Sequence, residues 1–210
     1  TVSNHRPFTY PNNKIDIPGD SKSRGGGVKY TDYSMQKFFE MAKKQPWFEN
    51  TIFVILADHC ASSAGKTELP LDKYRIPALI YAPNYIKPSY YTNLMSQIDV
   101  MPTVFGLLNF SYQSKFFGQD VLKSTYKPRA LIATYRNLGL LKDNVLTIIS
   151  PKQQAKQLQI TLVPNPKIGA DFQLFYDEKP LGKARPDLIN ETISYYQTAS
   201  DMLKNKKYQK

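Results

Sequence analysis

The stretch TIFVILADHCASSAG, residues 51–65, changes character halfway along. Its first seven residues are apolar or β-branched, which predicts a strand that is covered on both faces of a sheet. Asp58 and His59 follow at once, and a loop of small residues comes next. Ligands of doubly wound sheets bind beyond the carboxyl ends of the strands, where loop side chains converge. The stretch therefore predicts an α/β fold with a candidate site at the end of this strand.

A helix is predicted just before this strand. Thr31 or Asp32 can cap it, and Pro46 ends it. Residues 1–27 are rich in Pro, Asn, Gly and Ser without an apolar period, so they predict an irregular surface loop. The apolar residues that define the helix recur at helical spacing: Met35, Phe38, Phe39 and Ala42.

The next predicted strand is IPALIYA, residues 76–82, and a helix follows over residues 96–109. Pro102 is tolerated there only in the first turn of the helix. Asp99 is then expected at the helix start, either as a cap for the orphan amides or as a site residue. One helical face carries the apolar residues Ile98, Met101, Phe105 and Leu108.

The second half of the chain has a different pattern. RALIAT and NVLTII, residues 129–134 and 144–149, predict strands joined around Gly139 and Asp143. QLQITLV and FQLFYD, residues 157–163 and 172–177, alternate as half-exposed antiparallel strands do. Pro186 and Asp187 then open a closing helix. We therefore expect a mostly parallel α/β region, followed by antiparallel strands and a C-terminal helix.

Composition limits the classes of function. The chain has 210 residues, and its apolar runs are much shorter than the roughly 20 residues that cross a bilayer. A single cysteine rules out an internal disulfide framework. The net charge of +11 suits nucleic acid, an anionic membrane or phosphorylated substrates. No nucleic-acid-binding module is recognisable, so we do not expect a nucleic-acid partner.

The Asp58–His59 pair admits two interpretations. A carboxylate and a neutral imidazole are good ligands of a divalent ion, but the pair could also cap the following turn. Cys60 is expected to pack as a small buried side chain, because nothing near it in sequence lowers its pKa. The motifs GxSxG, GxxxxGK[ST] and GxGxxG are absent from the sequence, which removes most support for those enzyme classes.

The second histidine, His5, lies in SNHRPF. Two histidines so far apart in sequence do not form a spacing motif. His5 either donates to an anionic oxygen, if its loop folds over the site, or is an exposed loop residue.

Several ordered motifs resemble those of a known family. They are SNHRPFTYP, the segment from YTDYSM to IPALIYAP, SQIDVMPTVFGLLN and FFGQDVL. In this order they are similar to the carboxyl-terminal half of the sulfatase-like catalytic domain of lipoteichoic acid synthases and related bacterial phosphoglycerol transferases, in the alkaline phosphatase superfamily. The resemblance is dense over residues 1–122 and looser beyond them. It implies a sulfatase-like domain half over residues 1–125 and a C-terminal extension over residues 126–210.

The resemblance also assigns roles. It implies that Asp58 and His59 ligate a divalent ion, Mn or Mg in this branch and Zn or Ca in its cousins. His5 matches the histidine that contacts the phosphoryl group, and Ser63 falls in the loop that approaches the head group. The implied reaction is displacement at a phosphodiester by a metal-activated threonine, through a covalent phospho-enzyme.

The family's threonine and its glutamate ligand belong to the amino-terminal half of the domain, which these 210 residues do not include. We therefore expect the isolated chain to be inactive and to bind metal poorly. The resemblance implies a membrane enzyme whose catalytic domain lies outside the cytoplasm and acts on an anionic lipid or phosphodiester head group. Two alternatives stay open, a sulfate-ester or phosphoester hydrolase and a non-catalytic lipid-binding sensor of the same fold.

Overall fold

The computed structural model describes residues 2–60, 68–163 and 176–208. These ranges contain three α-helices, α1 (Arg24–Ala42), α2 (Val100–Leu107) and α3 (Pro186–Lys204). They also contain seven strands: β1 (Phe53–Leu56), β2 (Ala78–Tyr81), β3 (Ala130–Ala133), β4 (Leu138–Lys142), β5 (Val145–Ser150), β6 (Gln154–Leu162) and β7 (Tyr176–Pro180). In these ranges, no helix combines the length and the hydropathy needed to cross a membrane.

The chain divides into two compact units. The first unit comprises residues 1–54 and 80–88, and the second comprises residues 55–79 and 89–210. This division follows packing, whereas the domain limit expected near residue 125 follows a sequence resemblance and stays a prediction.

Aromatic side chains form the centre of the first unit. The Phe39, Phe48 and Tyr81 rings lie around Phe53, with ring centroids 5.1, 5.3 and 6.2 Å from the Phe53 ring. Aromatic pairs at these separations contribute roughly 0.5–1.5 kcal/mol each beyond the area that they bury. The helix predicted from Phe39 and its neighbours therefore packs onto the strand that follows it.

This helix begins earlier than predicted. Neither Thr31 nor Asp32 caps it: the N-cap is Ser23, whose side chain accepts a hydrogen bond from Gly26 N at 3.0 Å. The SRGGG segment, residues 23–27, is part of the region whose composition and lack of an apolar period predict a loop. A Cβ on Gly27 would overlap the Ser3 carbonyl, so glycine lets the first turn of α1 approach the amino-terminal segment closely. Tertiary packing outweighs propensity at this point.

The prediction that the strand at residues 51–57 is covered on both faces is wrong. The side chains of β1 are only partly buried, and 37% of Val54 is exposed. β1 and β2 form a two-stranded sheet within the described residues. Among the described residues, the elements packed on β1 leave part of its apolar run exposed.

The second unit holds a five-stranded sheet in the order β3-β4-β5-β6-β7, with antiparallel neighbours throughout. The antiparallel prediction for this half is confirmed. The turn expected around Gly139 is wrong, because Gly139 lies inside β4 and pairs with Ile132 and Ile148. Asp143 and Asn144, both with positive φ, make the turn between β4 and β5. Most of the predicted strand at residues 172–177 lies outside the described residues, and β7 begins at Tyr176.

One face of this sheet carries the hydrophobic core. Tyr74, Leu141 and Tyr176 pack at its edge. The helix predicted from Pro186 is confirmed as α3, with proline in the first turn, and it packs on β4 and β5. The buried core residues are Leu69, Leu71, Ile132, Leu146, Ile148, Leu158 and Ile160.

Helix α2 has Pro102 in its first turn, as predicted. Of the residues predicted on one apolar face, Ile98, Met101 and Leu108 are exposed, whereas Phe105 is half-buried. The buried side is formed by Val100, Pro102, Thr103 and Val104.

Candidate metal centre

Asp58 and His59 lie directly beyond β1, in the second unit, and both are largely exposed, at 82% and 63% of their side-chain surfaces. His59 Nε2 lies 3.6 Å from Asp58 Oδ2. Two protein ligands of a single small divalent ion are about 3–3.6 Å apart when each bond is about 2.0–2.2 Å long. The carboxylate and the imidazole therefore converge as two ligands of one ion would.

The other ring nitrogen of His59 has a backbone partner. His59 Nδ1 lies 2.7 Å from the Cys60 carbonyl oxygen, which can only accept a hydrogen bond. Donation from Nδ1 to this carbonyl orients the ring so that Nε2 is the ring nitrogen near the Asp58 carboxylate. A histidine ligand that donates its second N–H to a backbone carbonyl is the common arrangement at metal sites.

The His59 backbone affects the charge of Asp58. His59 N donates to Asp58 Oδ1 at 2.9 Å. This hydrogen bond holds the pKa of the Asp58 carboxyl below its usual value, so the carboxylate is ionised at neutral pH. An ionised carboxylate is the form that binds a cation.

Cys60 acts through its hydrogen bond. Its Sγ donates to the Arg75 carbonyl at 2.8 Å, and burial raises the pKa of the thiol. A protonated, hydrogen-bonded thiol is a poor nucleophile. Cys60 therefore ties the backbone just after Asp58 and His59 to Arg75.

Gln97 was not identified from the sequence. Its Nε2 donates to the Ala57 and Asp58 carbonyls at 3.3 and 3.2 Å. Because 39 residues separate Gln97 from Asp58, no local pattern connects them. Only the position of Gln97 directly before Ile98 and Asp99 at a helix start could have drawn attention to it.

His5 lies in the first unit, in a turn closed by a 2.6 Å hydrogen bond from Phe8 N to the His5 carbonyl. The preceding residues are held against α1, because Thr31 Oγ1 donates to Asn4 Oδ1 at 3.1 Å. His5 is exposed, and Asp58 and His59 belong to the second unit. Ser63 lies outside the described residues, so its expected contact with a head group stays a prediction.

Asp99 has the structural role that the sequence left open. Ser96 N donates to Asp99 Oδ2 at 2.9 Å, and Ser96 and Asp99 form a capping box. Arg129 Nη1 lies 2.8 and 3.0 Å from the two carboxylate oxygens, with both side chains at most 1% exposed. Gln119 N and Tyr126 Oη donate to the same carboxylate at 2.8 and 3.1 Å. The carboxylate is buried and fully used within the fold.

Among the described residues there is no cluster of three or more His, Cys, Asp or Glu side chains able to hold a metal ion. Asp58 and His59 supply two donors of the right chemistry, whereas metal sites of proteins use three or four protein ligands. The residues present fit part of a divalent-ion site.

The fold as a whole resembles a solved enzyme-superfamily structure. A crystal structure of a protein in the alkaline phosphatase superfamily from Vibrio parahaemolyticus matches with a TM-score of 0.84 and 28% sequence identity. The match covers 99% of this chain and 48% of that one. The arrangement of sheets and C-terminal helix is thus that of an α/β protein of the alkaline phosphatase superfamily.

The family model named Sulfatase matches residues 1–110, and this chain belongs to the sulfatase family. Two relatives from Bacillus subtilis (strain 168) are each 27% identical: lipoteichoic acid synthase-like YvgJ over 155 residues and lipoteichoic acid synthase 2 over 148 residues. These matches cover 63% and 60% of this chain, and 25% and 23% of the relatives. The chain thus spans about a quarter of the length of these relatives, and the recognised resemblance to lipoteichoic acid synthase-type domains is confirmed.

Proposed function

We propose that this chain is the part of a metal-dependent phosphoglycerol transferase that contributes Asp58 and His59 to a divalent-ion site. The convergence of His59 Nε2 and Asp58 Oδ2, 3.6 Å apart at the end of β1, is the observation that carries the proposal. The similarity to two lipoteichoic acid synthase-type proteins supports the transferase reaction.

In this proposal Asp58 and His59 would hold Mn or Mg, with Zn or Ca as the other candidates. The ion would polarise a phosphoryl oxygen and lower the pKa of a nucleophilic hydroxyl. Asp58 would supply the negative charge, and His59 would bind through Nε2 while its Nδ1 donates to the Cys60 carbonyl, 2.7 Å away. His5 would donate to an oxygen of the phosphoryl group, and Ser63 would lie near the head group.

The threonine nucleophile and a glutamate ligand would come from residues outside this chain. The threonine hydroxyl oxygen would form a bond to phosphorus while the bond from phosphorus to the lipid's leaving oxygen breaks, and that oxygen would take up a proton as the threonine loses one. An acceptor hydroxyl or water would then attack the phospho-threonine, lose its proton and release the threonine, which regains one. Covalent catalysis of this kind divides one difficult displacement into two easier ones.

The proposed donor is an anionic lipid with a phosphodiester head group, encountered at the outer surface of the cytoplasmic membrane. The net charge of +11 supports an anionic surface as the partner. The Asp58–His59 pair also favours catalysis over a sensor role, because a lipid sensor has no need of converging metal ligands.

The test compares Asp58→Asn and His59→Ala with wild type in the protein that carries the complete catalytic domain. We expect each substitution to lower turnover of a glycerophospholipid by at least about 100-fold, since loss of a ligand costs more than the 10–100-fold typical of its supporting residues. Asp201→Asn is the matched control, because Asp201 is an exposed carboxylate that pairs with Lys207 at 2.6 Å.

The isolated 210-residue chain is expected to bind Mn²⁺ weakly and to release no product. Tight stoichiometric binding, together with product release by this chain alone, would show that the site is complete within it and would defeat the proposed division. Unchanged turnover in both ligand variants would overturn the metal-site assignment itself.

A further inference from the structure

The Gln97 side chain links a distant turn to the strand end that carries the candidate ligands. We propose that Gln97 is a positioning residue for Asp58 and His59, an inference that rests on the proposed function. Its Nε2 donates one hydrogen to the Ala57 carbonyl at 3.3 Å and the other to the Asp58 carbonyl at 3.2 Å.

These two carbonyls determine the direction of the Asp58 side chain. The Ala57 carbonyl belongs to the peptide plane before Asp58, and the Asp58 carbonyl belongs to the plane after it. Because peptide units are planar, holding both planes fixes φ and ψ of Asp58, and hence the direction of its Cα–Cβ bond. The second plane also carries His59 N, which donates to Asp58 Oδ1.

Gln97 acts just where the sheet stops holding the backbone. β1 ends at Leu56, and Ala57 N still donates to the Pro77 carbonyl at 3.2 Å. The next two carbonyls extend past the strand, where Gln97 bonds both. Cys60 Sγ holds the segment from its other end through the Arg75 carbonyl.

The backbone of Gln97 is itself held by the buried ion pair. Gln97 is the first residue of the short 3₁₀ turn Gln97–Asp99, which begins with the Ser96–Asp99 capping box. The Asp99 carboxylate is buried against Arg129. A rigid anchor of this kind leaves only the Gln97 side-chain torsions to be ordered, so the amide is preorganised for its two acceptors.

The geometry requires a donor of one length. Glutamate has the same shape but no N–H, and its carboxylate would repel the two carbonyls. Asparagine is one methylene shorter and would not reach. Gln159, on β6, offers the matched control. Its Nε2 also donates to two backbone carbonyls, those of Asn144 and Ile160, at 3.0 and 3.4 Å.

The test compares Gln97→Glu with Gln159→Glu. In Gln97→Glu we expect faster amide hydrogen exchange over residues 57–60 of the 210-residue chain, with an unchanged unfolding midpoint. In the protein that carries the complete domain, we expect Mn²⁺ binding to weaken about 10–100-fold. Saturating Mn²⁺ should restore kcat, with the KM for the lipid unchanged. Gln159→Glu should change neither exchange at residues 57–60 nor Mn²⁺ affinity.

The outcomes separate this inference from the proposed function. If Asp58→Asn loses Mn²⁺ binding while Gln97→Glu keeps wild-type affinity and exchange, the positioning role is overturned and the metal site stands. If wild type binds no Mn²⁺, the proposed function fails, and the exchange difference alone decides whether Gln97 holds the strand end. Faster exchange over the whole chain in Gln97→Glu would indicate general destabilisation and would also overturn the inference.

Discussion

Asp58 lies beside the His59 imidazole and Asp99 beside the Arg129 guanidinium, yet Asp58 is exposed and Asp99 is buried. Asp99 and Arg129 are at most 1% exposed, and Arg129 Nη2 also donates to the Phe117 carbonyl at 2.8 Å. The Asp58 side chain is 82% exposed, and the hydrogen bond to its Oδ1 comes from the adjacent His59 N–H.

The difference separates a carboxylate that holds the fold from one that can serve chemistry. Burying an ion pair is costly, so it is tolerated only when the remaining donors and acceptors are bonded, as they are around Asp99. A metal ligand must instead keep its oxygen atoms accessible to an incoming ion. Asp99 is therefore a structural residue that indirectly supports the site through Gln97.

The largest expected loss of stability comes from breaking the buried Asp99–Arg129 pair. Arg129→Met leaves the Asp99 charge buried without its partner, which should lower the free energy of unfolding by about 3–5 kcal/mol. Urea denaturation monitored by circular dichroism measures the change. In the control Arg185→Met, exposed ion pairs with Asp187 and Asp143 are lost, and a much smaller loss of stability is expected because solvent screens exposed pairs. Equal losses in the two variants would refute the distinction.

A smaller loss of stability is expected when Tyr126, which donates to the Asp99 carboxylate, is changed. Its hydroxyl lies 3.1 Å from Asp99 Oδ2 and 3.0 Å from the Leu94 carbonyl, so Tyr126→Phe should cost about 1 kcal/mol at pH 7. Burial, and then the Asp99 charge, raise the pKa of Tyr126 well above its ordinary value.

The raised pKa of Tyr126 predicts how the stability of the fold changes at alkaline pH. Above a pH of about 10 the unfolded tyrosine loses its proton while the folded one keeps it, so the unfolded state binds fewer protons and stability falls with pH. Tyr126→Phe should fall less steeply than wild type between pH 9 and pH 11, in urea titrations at each pH. A wild-type slope in the variant would mean that Tyr126 titrates normally.

The smallest effect on stability is expected at the exposed Asp58. Asp58→Asn should leave the urea midpoint of unfolding at pH 7 essentially unchanged, because the side chain is exposed. The lowered pKa of Asp58 means that any stabilisation by its charge is present above the unfolded pKa and is lost as pH falls through the folded pKa. A loss of stability in Asp58→Asn as large as that in Arg129→Met would make Asp58 a structural residue like Asp99.

Sequence reasoning named candidate ligands, which stay a prediction, but it missed the residues that hold them in place. Asp58 and His59 were identified because the change from an apolar run to polar ligands occurs within the quoted stretch itself. Gln97 and Arg129 were not identified, because their partners lie 39 and 30 residues away. Contacts of that separation leave no periodic trace in one sequence.

Two errors about the fold have a similar cause. The glycines at the start of α1 predicted a loop, yet they lie in the helix, and the Ser3 carbonyl occupies the place of a Cβ on Gly27. Gly139 predicted a turn, yet it pairs inside β4, where the added Cβ would crowd Leu69 and Ile132. In both places a neighbouring segment packs so closely that a residue with a Cβ would clash, and only the tertiary structure shows this.

The sequence by itself determined the α/β class, the antiparallel second half and the closing helix at Pro186, and it offered the Asp58–His59 pair as a candidate, because periodicity, turn residues and adjacency are local properties. Tertiary structure alone decided that Asp99 is a buried partner of Arg129, that Ile98, Met101 and Leu108 are exposed and that Gln97 reaches the carbonyls at the end of β1. Burial and long-range hydrogen bonds depend on which segments meet in space, and that information is distributed over the whole chain.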